Sequence, residues 1–440
     1  MKRIPRLFRS LLYTLRGGFL IRPLVIAVLL GVVGAVLSEA EEAIPAVGAW
    51  LPATLFPSRQ DPQVAQAILS GIATSIMTVV SIVFAILLMT LTLASTQFSP
   101  RILVSFVRDR TTQWTLGVFL GTFSYCMAAL PAARSLPHPF VPVATTTGAM
   151  LLALVCVGWL IFFINHISQA ISVNHIVDRI ARETELIIDD FMPDPRAPFM
   201  RSEGIELHGS KDGLPVLSQL SGYIRYLDIR QLFQLAKDYR VHIRVVRRVG
   251  HFVPAGVPLL TASPGERITA ERSERLLAAF DIGPTRTMQQ DVEFGVIQIV
   301  DIALRAISPA VNDPSTAISC IDQLSRILIR WLSRASAASY FYSPPHVLRL
   351  IVPWITLDGL LDTAFEQIRH YAAGDVAVSL RLLRAFTDIA STTDRLDVHH
   401  NLLERAQRVI AGCTGHLTET DLAALQQRIA PLKLRVSMNA

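Results

Sequence analysis

The chain has 440 residues, of which 51% are hydrophobic and only 17% charged, with a mean hydropathy of +0.42. Soluble domains carry about 25% charged residues, so much of this chain belongs in lipid. The net charge of +6 does not point to nucleic acid, because the basic residues gather at the borders of apolar stretches rather than on an aromatic-interleaved patch. Cys126 and Cys156 lie inside apolar stretches and Cys320 and Cys413 far beyond them, a spacing that excludes a disulfide framework or a cysteine metal set and fits a reducing compartment.

A bilayer core of about 30 Å needs roughly 20 apolar residues in a helix. Four such runs occur, predicting membrane spans over about 19–38, 68–98, 114–133 and 140–164 within a transmembrane domain of residues 1–165. The basic arm before the first run is too long for a signal peptide, and Glu39, Glu41 and Glu42 stand where a small-residue cleavage site would be, so the run is read as an uncleaved span. Lys and Arg are retained on the cytoplasmic side. The N-terminal arm, with Lys2, Arg3, Arg6, Arg9 and Arg16, and the loop with Arg101, Arg108 and Arg110 are the basic connections. Both termini are therefore expected in the cytoplasm, and the protein in the bacterial cytoplasmic (inner) membrane.

The second span, ILSGIATSIMTVVSIVFAILLMTLTLASTQF, is longer than a perpendicular helix requires. Gly71, Thr74, Thr78, Ser81, Ala85, Leu88, Thr92 and Ser95 recur at steps of three and four, which places them along one seam. Small residues let helices approach closely and hydroxyls bond to backbone, so the plain expectation is helix packing. The sharper one is that Gly71, Thr74, Thr78, Ser81, Ala85, Thr92 and Ser95 line a water-filled path in a homo-oligomer, carrying an ion or small solute. The other spans read chiefly as lipid-facing support, and past Arg22 at the head of the first run none of the four carries an acidic or basic residue for a proton relay. After Pro100, RILVSFVRDR reads as a short basic helix in the membrane interface.

From Asn165 an amphipathic pattern continues to Phe191, predicting a juxtamembrane helix over 166–192 that prolongs the fourth span and stops before Pro193, Pro195 and Pro198. Residues 193–265 change period, with short strands around a helical DIRQLFQLAKDYR, predicting a small β-rich unit. Within it GHFVPAGVPLL is similar to the turn-and-strand pattern of lipoyl-like barrel-sandwich modules, but no Lys occupies the hairpin, so no covalent cofactor is expected. Arg244, Arg247 and Arg248 are read as a solvated strand face in preference to a lipid or nucleotide site.

Residues 266–440 are expected to be mainly helical. SPAVNDP joins two helices, with Asp313 placed to cap the second and Pro314 suited to its first turn. Asp301 and Arg305 stand one turn apart, while Arg286 and Asp291 arrive upstream. Together with Asn312, Ser315 and Thr316 these residues define a corner that is either purely structural or a site for a small anion, held by helix amides with Arg286 nearby. Asp394, Asp397, His399 and His400 form no metal set, because adjacent histidines on a helix point about 100° apart. No metal or cofactor is expected.

TLTLASTQFSPRIL, LGVFLGTFSYC, DVEFGVIQIVDIALRAISPAVNDPSTAISCIDQL and FEQIRHYAAGD resemble the bacterial family of predicted membrane proteins designated domain of unknown function 2254. The resemblance implies a membrane protein over nearly the whole chain and brings no established activity with it. The fold class expected is mainly α, a four-helix transmembrane domain followed by a cytoplasmic α+β domain with a small β unit and a helical bundle. Two functions follow: a homo-oligomeric channel or passive transport protein, or a non-conducting scaffold or sensor. No Walker loop, HExxH, nucleophile elbow or convergent acid pair suggests an enzyme.

Overall fold

The computed structural model describes residues 21–44, 61–97, 109–134, 140–170, 172–191, 213–334, 339–345 and 347–438, without the side chains of 94–97, 170 and 438. It divides into two compact units, residues 1–172 and 173–440. The N-terminal arm, the loop around Trp50 and most of the interfacial helix expected after Pro100 lie outside the described residues.

Among its described residues the first unit contains four helices long and apolar enough to cross a membrane: α1 (Ile21–Ala43), α2 (Pro62–Gln97), α3 (Arg110–Ala129) and α4 (Val143–Ala170). The 36 residues of α2 make it overlong, as its sequence suggests. A helix of that length measures about 54 Å. The helices begin earlier or end later than hydropathy alone indicates, because backbone bonding continues past the last apolar residue. Helix α1 therefore includes Glu39, Glu41 and Glu42.

The four spans are unequal in an unexpected way. Half of the apolar window of α3 is buried, against 22%, 28% and 22% for α1, α2 and α4. Far from being lipid-facing support, α3 is the central helix. Glycine explains its contact with α1: a Cβ at Gly117 would stand 2.5 Å from Ile26 Cδ1, one at Gly121 would collide with Leu30, and one at Gly34 would stand 2.7 Å from the Tyr125 carbonyl oxygen. Small residues on both partners bring the backbones together, the main source of helix affinity where lipid is as apolar as the side chains.

The face of α3 toward α4 is polar. Trp159 Nε1 donates to Thr115 Oγ1 at 2.9 Å, Thr122 Oγ1 lies 3.2 Å from Cys156 Sγ, and the Tyr125 hydroxyl donates to the Thr145 carbonyl at 3.0 Å. At the Arg110 end of the bundle Asp109 caps α3 through Thr112 and stands 3.0 Å from His166 Nε2 of α4. Burial disfavours the charge on Asp109, but the bonds from Thr112 and the neighbouring His166 hold its carboxyl below the ordinary value.

The second unit starts with α5 (Val173–Phe191), separate from α4 rather than continuous with it. The Ser172 amide turns back to the Gln169 carbonyl, and the apolar-all-round surface of α4 gives way to a two-faced helix whose stripe Ile176, Val177, Ile180, Thr184 and Ile188 is buried.

The β-rich part contains β1 (Leu214–Leu217), β2 (Gly222–Leu227), α6 (Ile229–Asp238), β3 (His242–Val245), β4 (Phe252–Val253) and β5 (Pro258–Ser263). It does not end near residue 265. After α7 (Ala270–Leu277), β6 (Phe280–Gly283) joins β4 and β2 in a three-stranded antiparallel sheet ordered β4-β2-β6. Strands β7 (Tyr340–Ser343) and β8 (Val347–Ile351) complete a five-stranded sheet ordered β1-β5-β3-β8-β7, in which only the β3–β8 pair is parallel. Ile224, Leu227, Leu232, Ile243, Leu259, Leu260 and Leu350 supply the shared apolar core of these elements.

The remainder is helical: α8 (Val292–Ala306), α9 (Pro314–Leu332), α10 (Leu357–Tyr371), α11 (Val376–Ala390), α12 (Leu396–Cys413) and α13 (Glu419–Met438). Helix α5 lies against the α8–α9 pair, where Gly295 leaves room for Thr184. A ladder of charge fixes it there. Arg326, Arg330 and Arg334, one turn apart on α9 and just beyond it, reach Asp178, Glu185 and Asp189 of α5. Bonds from Arg330, aided by Arg334, hold the Asp189 carboxyl below its ordinary value.

A carboxylate with a depressed native value contributes stability above its unfolded value, about 3.9 for Asp, and loses it as pH falls through the native one. The ladder is expected to loosen on acidification below pH 4. Because these pairs are partly exposed, Asp189→Asn at pH 7 should cost no more than about 1 kcal/mol. Hydrogen exchange of the α5 amides checks it: faster exchange in the variant at pH 7, with the difference shrinking in acid, is the expected result.

Candidate functional site

Polar side chains gather at three places: the seam of α2, the corner around α8 and α9, and the end of the bundle near Glu41. On α2, Ala65, Leu69, Ala73, Ile76, Val80 and Val83 face the chain's own helices. Gly71, Thr74, Thr78, Ser81, Ala85, Leu88 and Thr92 are all exposed on the opposite side. The side chain of Ser95 lies outside the described residues. Packing within the subunit is thus not what the seam serves. Its hydroxyls donate to backbone one turn back, Thr78 to Thr74, Ser81 to Met77 and Thr92 to Leu88. That bond satisfies each hydroxyl proton while leaving its oxygen directed away from the bundle.

The corner residues do not form one cluster. Arg286 and Asp291 stand at the start of α8, whereas Arg305, Asn312, Asp313, Ser315 and Thr316 belong to its far end and the start of α9. The 15 residues between put the two groups about 22 Å apart at 1.5 Å per residue. Asp301 is on α8 itself, one turn before Arg305. An anion held jointly by Arg286 and the Thr316 amide is therefore ruled out by geometry.

Each end is satisfied internally. Asp313 accepts from the Thr316 amide at 3.1 Å and hydroxyl at 2.6 Å, and these bonds hold its carboxyl below the ordinary value. Pro314 occupies the first helical turn, and Asn312 takes a left-handed φ of 50°, which asparagine tolerates better than most residues. At the other end Asp291 caps α8 through the Phe294 amide at 3.0 Å and receives Arg286 through Nε at 2.8 Å and Nη2 at 2.9 Å.

Arg286 also reaches Glu293 at 3.0 Å, and Arg248 reaches Glu293 at 3.0 Å. Gly250, with φ of 87°, runs its backbone so close to the Arg286–Asp291 pair that any side chain there would overlap it. Arg248 is therefore not part of a solvated strand face, as its place in the sequence suggests, but a strut between the β-rich part and α8. Burial pushes the Asp291 carboxyl up against the pull of Arg286, whereas the bonds from Arg248 and Arg286 overcome burial at Glu293 and hold it low. Burial and the adjacent Arg248 keep His251 below its ordinary value. Beside the cluster is a cavity of about 30 Å³ lined by Phe191, Trp331 and Trp354 among others, space for roughly one water.

The third place was not foreseen. Glu41, 3% exposed, accepts from the Ala144 amide at 2.7 Å, the Thr145 amide at 3.0 Å and the Thr145 hydroxyl at 3.0 Å. Its neighbour Glu42 pairs with Arg134, and Gln66 of α2 donates to the Ala133 carbonyl at 2.6 Å. One carboxylate thus caps another span's helix. The sequence signal available was the acidic triplet itself, which reads equally well as a solvated loop.

No group of three or more His, Cys, Asp or Glu side chains able to hold a metal occurs among the described residues. His399 directs Nε2 to the carbonyls of Ala390 and Thr393, and Asp397 pairs with Arg395.

The family described as predicted membrane protein, domain of unknown function 2254, matches residues 16–388. An uncharacterised protein of Mycobacterium bovis and another of Mycobacterium tuberculosis are each 31% identical over 339 residues, taking in 75% of this chain and 64% of the relative. The match thus spans less than two thirds of these relatives' length. No solved structure matches the chain. With four helices able to cross a membrane and a match over most of its length, the chain belongs to this family of predicted membrane proteins.

Proposed function

We propose that this membrane protein forms a homo-oligomeric channel or passive transport protein whose second span lines the path for an ion or small solute. The exposure of the α2 seam carries this reading. Seven of its positions, Gly71 to Thr92, turn away from the subunit's own bundle. Small residues and hydroxyl oxygens on an outward face suit contact with neighbouring copies and a hydrated axis. The location that goes with it is the bacterial cytoplasmic membrane, with both termini and the second unit on the cytoplasmic side, as the distribution of Lys and Arg indicates. The second unit would then act as oligomeriser and gate, and no enzymatic activity is expected.

Thr78→Cys tests the path. In proteoliposomes the variant should react with a membrane-impermeant thiol reagent, and modification should change solute flux by tenfold or more on the order expected when a narrow aqueous path is obstructed. A Thr78→Cys that stays unreactive, in vesicles that pass no ion in any gradient, sinks the channel reading.

The second reading, a non-conducting scaffold or sensor, has the Arg326–Arg330–Arg334 ladder in its favour, since it ties α5, the helix that follows the spans in sequence, to the body of the second unit. Membrane lipid is the one partner common to both readings.

A further inference from the structure

Ionisable side chains inside a helical membrane bundle are costly and are retained where they have a task. Glu41 is such a residue. It sits two residues from the end of α1, is almost wholly buried, and receives three hydrogen bonds from the first turn of α4. The amides of a helix N-terminus carry partial positive charge, so the carboxylate is held by both bonds and dipole. Thr145, which gives two of those bonds, also accepts at its carbonyl from Tyr125 of α3. Gln66 of α2 reaches Ala133 just before Arg134, and Arg134 pairs with Glu42. All four spans therefore meet at this end of the bundle, where the clasp proper is Glu41 with Ala144 and Thr145, and the half-exposed Glu42–Arg134 pair lies outside it.

We propose that Glu41 is a charge-dependent latch: its ionised carboxylate holds the ends of the first and fourth spans together, and neutralising it opens the polar α3–α4 interface to water. The chemistry requires the charge. An ionised carboxylate offers acceptors only, matching three donors; a neutral carboxyl or carboxamide turns one edge into a donor facing the α4 amides. Among the described residues the groups facing Glu41 are Tyr125 and Thr145, with the Glu42–Arg134 pair beside it, and none of these supplies a replacement acceptor for the Ala144 and Thr145 amides. The latch does not depend on the channel reading, since it concerns the α1–α4 contact and not the α2 seam.

Cys126, adjacent to Tyr125 and 1% exposed, is a built-in reporter of opening. Full-length protein in lipid vesicles is treated with a small maleimide, and labelling of Cys126 is followed by peptide mass spectrometry. The expected result is slow labelling in the wild type and in Glu42→Gln, and labelling faster by about tenfold or more in Glu41→Gln, the change that corresponds to losing one charge-assisted hydrogen bond. Equal rates in Glu41→Gln and the wild type overturn the proposal. So does equal acceleration in Glu42→Gln, which would make the effect general to the region. Should Glu41→Gln not fold, hydrogen exchange on the wild type decides: strongly protected Ala144 and Thr145 amides are required, and exchange at the rate of an unbonded helix end overturns the latch.

Discussion

In the full-length protein, Arg286→Met is expected to lower the melting temperature of the second unit by about 10 °C. Arg286 is the single cation shared by Asp291, whose side chain is 3% exposed, and Glu293, at 14%. Removing one member of a buried ion cluster strands the others, at a cost of about 3–5 kcal/mol. For a unit of this size each kcal/mol moves the midpoint by about 2–4 °C. Arg248 remains bonded to Glu293, so Asp291 suffers more.

The pH dependence gives the mechanism away. Burial already pushes the Asp291 carboxyl up, and without Arg286 it rises further. A buried acid whose native value lies above its unfolded one destabilises the fold when forced to ionise, and that penalty fades as pH falls. The deficit of Arg286→Met relative to the wild type should therefore shrink between pH 7 and pH 5. Calorimetry in detergent checks both points. Adding Asp291→Asn, which keeps a capping oxygen for the Phe294 amide, should recover part of the loss. A deficit that is constant with pH would mean that the guanidinium acts by packing on Phe294 alone, where its carbon lies 5.4 Å from the ring centroid.

The same cluster shows where sequence reasoning stops. The cap at Asp313 and the proline after it were legible because both partners lie within three residues. The four apolar helices were legible for a similar reason, since length and composition are local properties. Arg248 with Glu293, or Arg326 with Glu185, joins residues 45 and 141 positions apart, and nothing local distinguishes such an arginine from a solvated one. The β strands divide along the same line. β3, just after DIRQLFQLAKDYR, alternates in burial and β2 does so up to its irregularity between Ile224 and Tyr226, whereas β6 and β7 take their partners from β2 and β8, 53 residues away in the first case and across a short turn in the second. Within the membrane unit, hydropathy finds spans yet ranks them poorly. It marked α2 as the unusual helix and passed over Gly117 and Gly121, a small-residue pair at four-residue spacing that places α3 at the centre.

That pairing leads to the second large effect. Gly34→Val should separate α1 from α3, because the added carbons would meet the Tyr125 backbone: a Cβ alone stands 2.7 Å from its carbonyl oxygen and 3.1 Å from its Cα. Overpacking usually costs about 1–3 kcal/mol, and a clash with backbone belongs at the upper end, since no side-chain rotation relieves it. Tyr125 also anchors Thr145, the residue that bonds Glu41, so displacement of α1 should release the neighbouring Glu41 end of the bundle as well. Gly71→Val is the matched control, because a Cβ at Gly71 has no neighbour within 4 Å in the subunit. Thermal unfolding of the membrane unit should fall for Gly34→Val and stay near the wild type for Gly71→Val. Oligomer mass in detergent should respond in the opposite order, with Gly71→Val dissociating assemblies that the wild type retains, if the α2 seam meets neighbouring copies. An unchanged mass in Gly71→Val removes the seam from the interface, whereas unchanged unfolding in Gly34→Val removes the glycine contact from the account of how the bundle holds together.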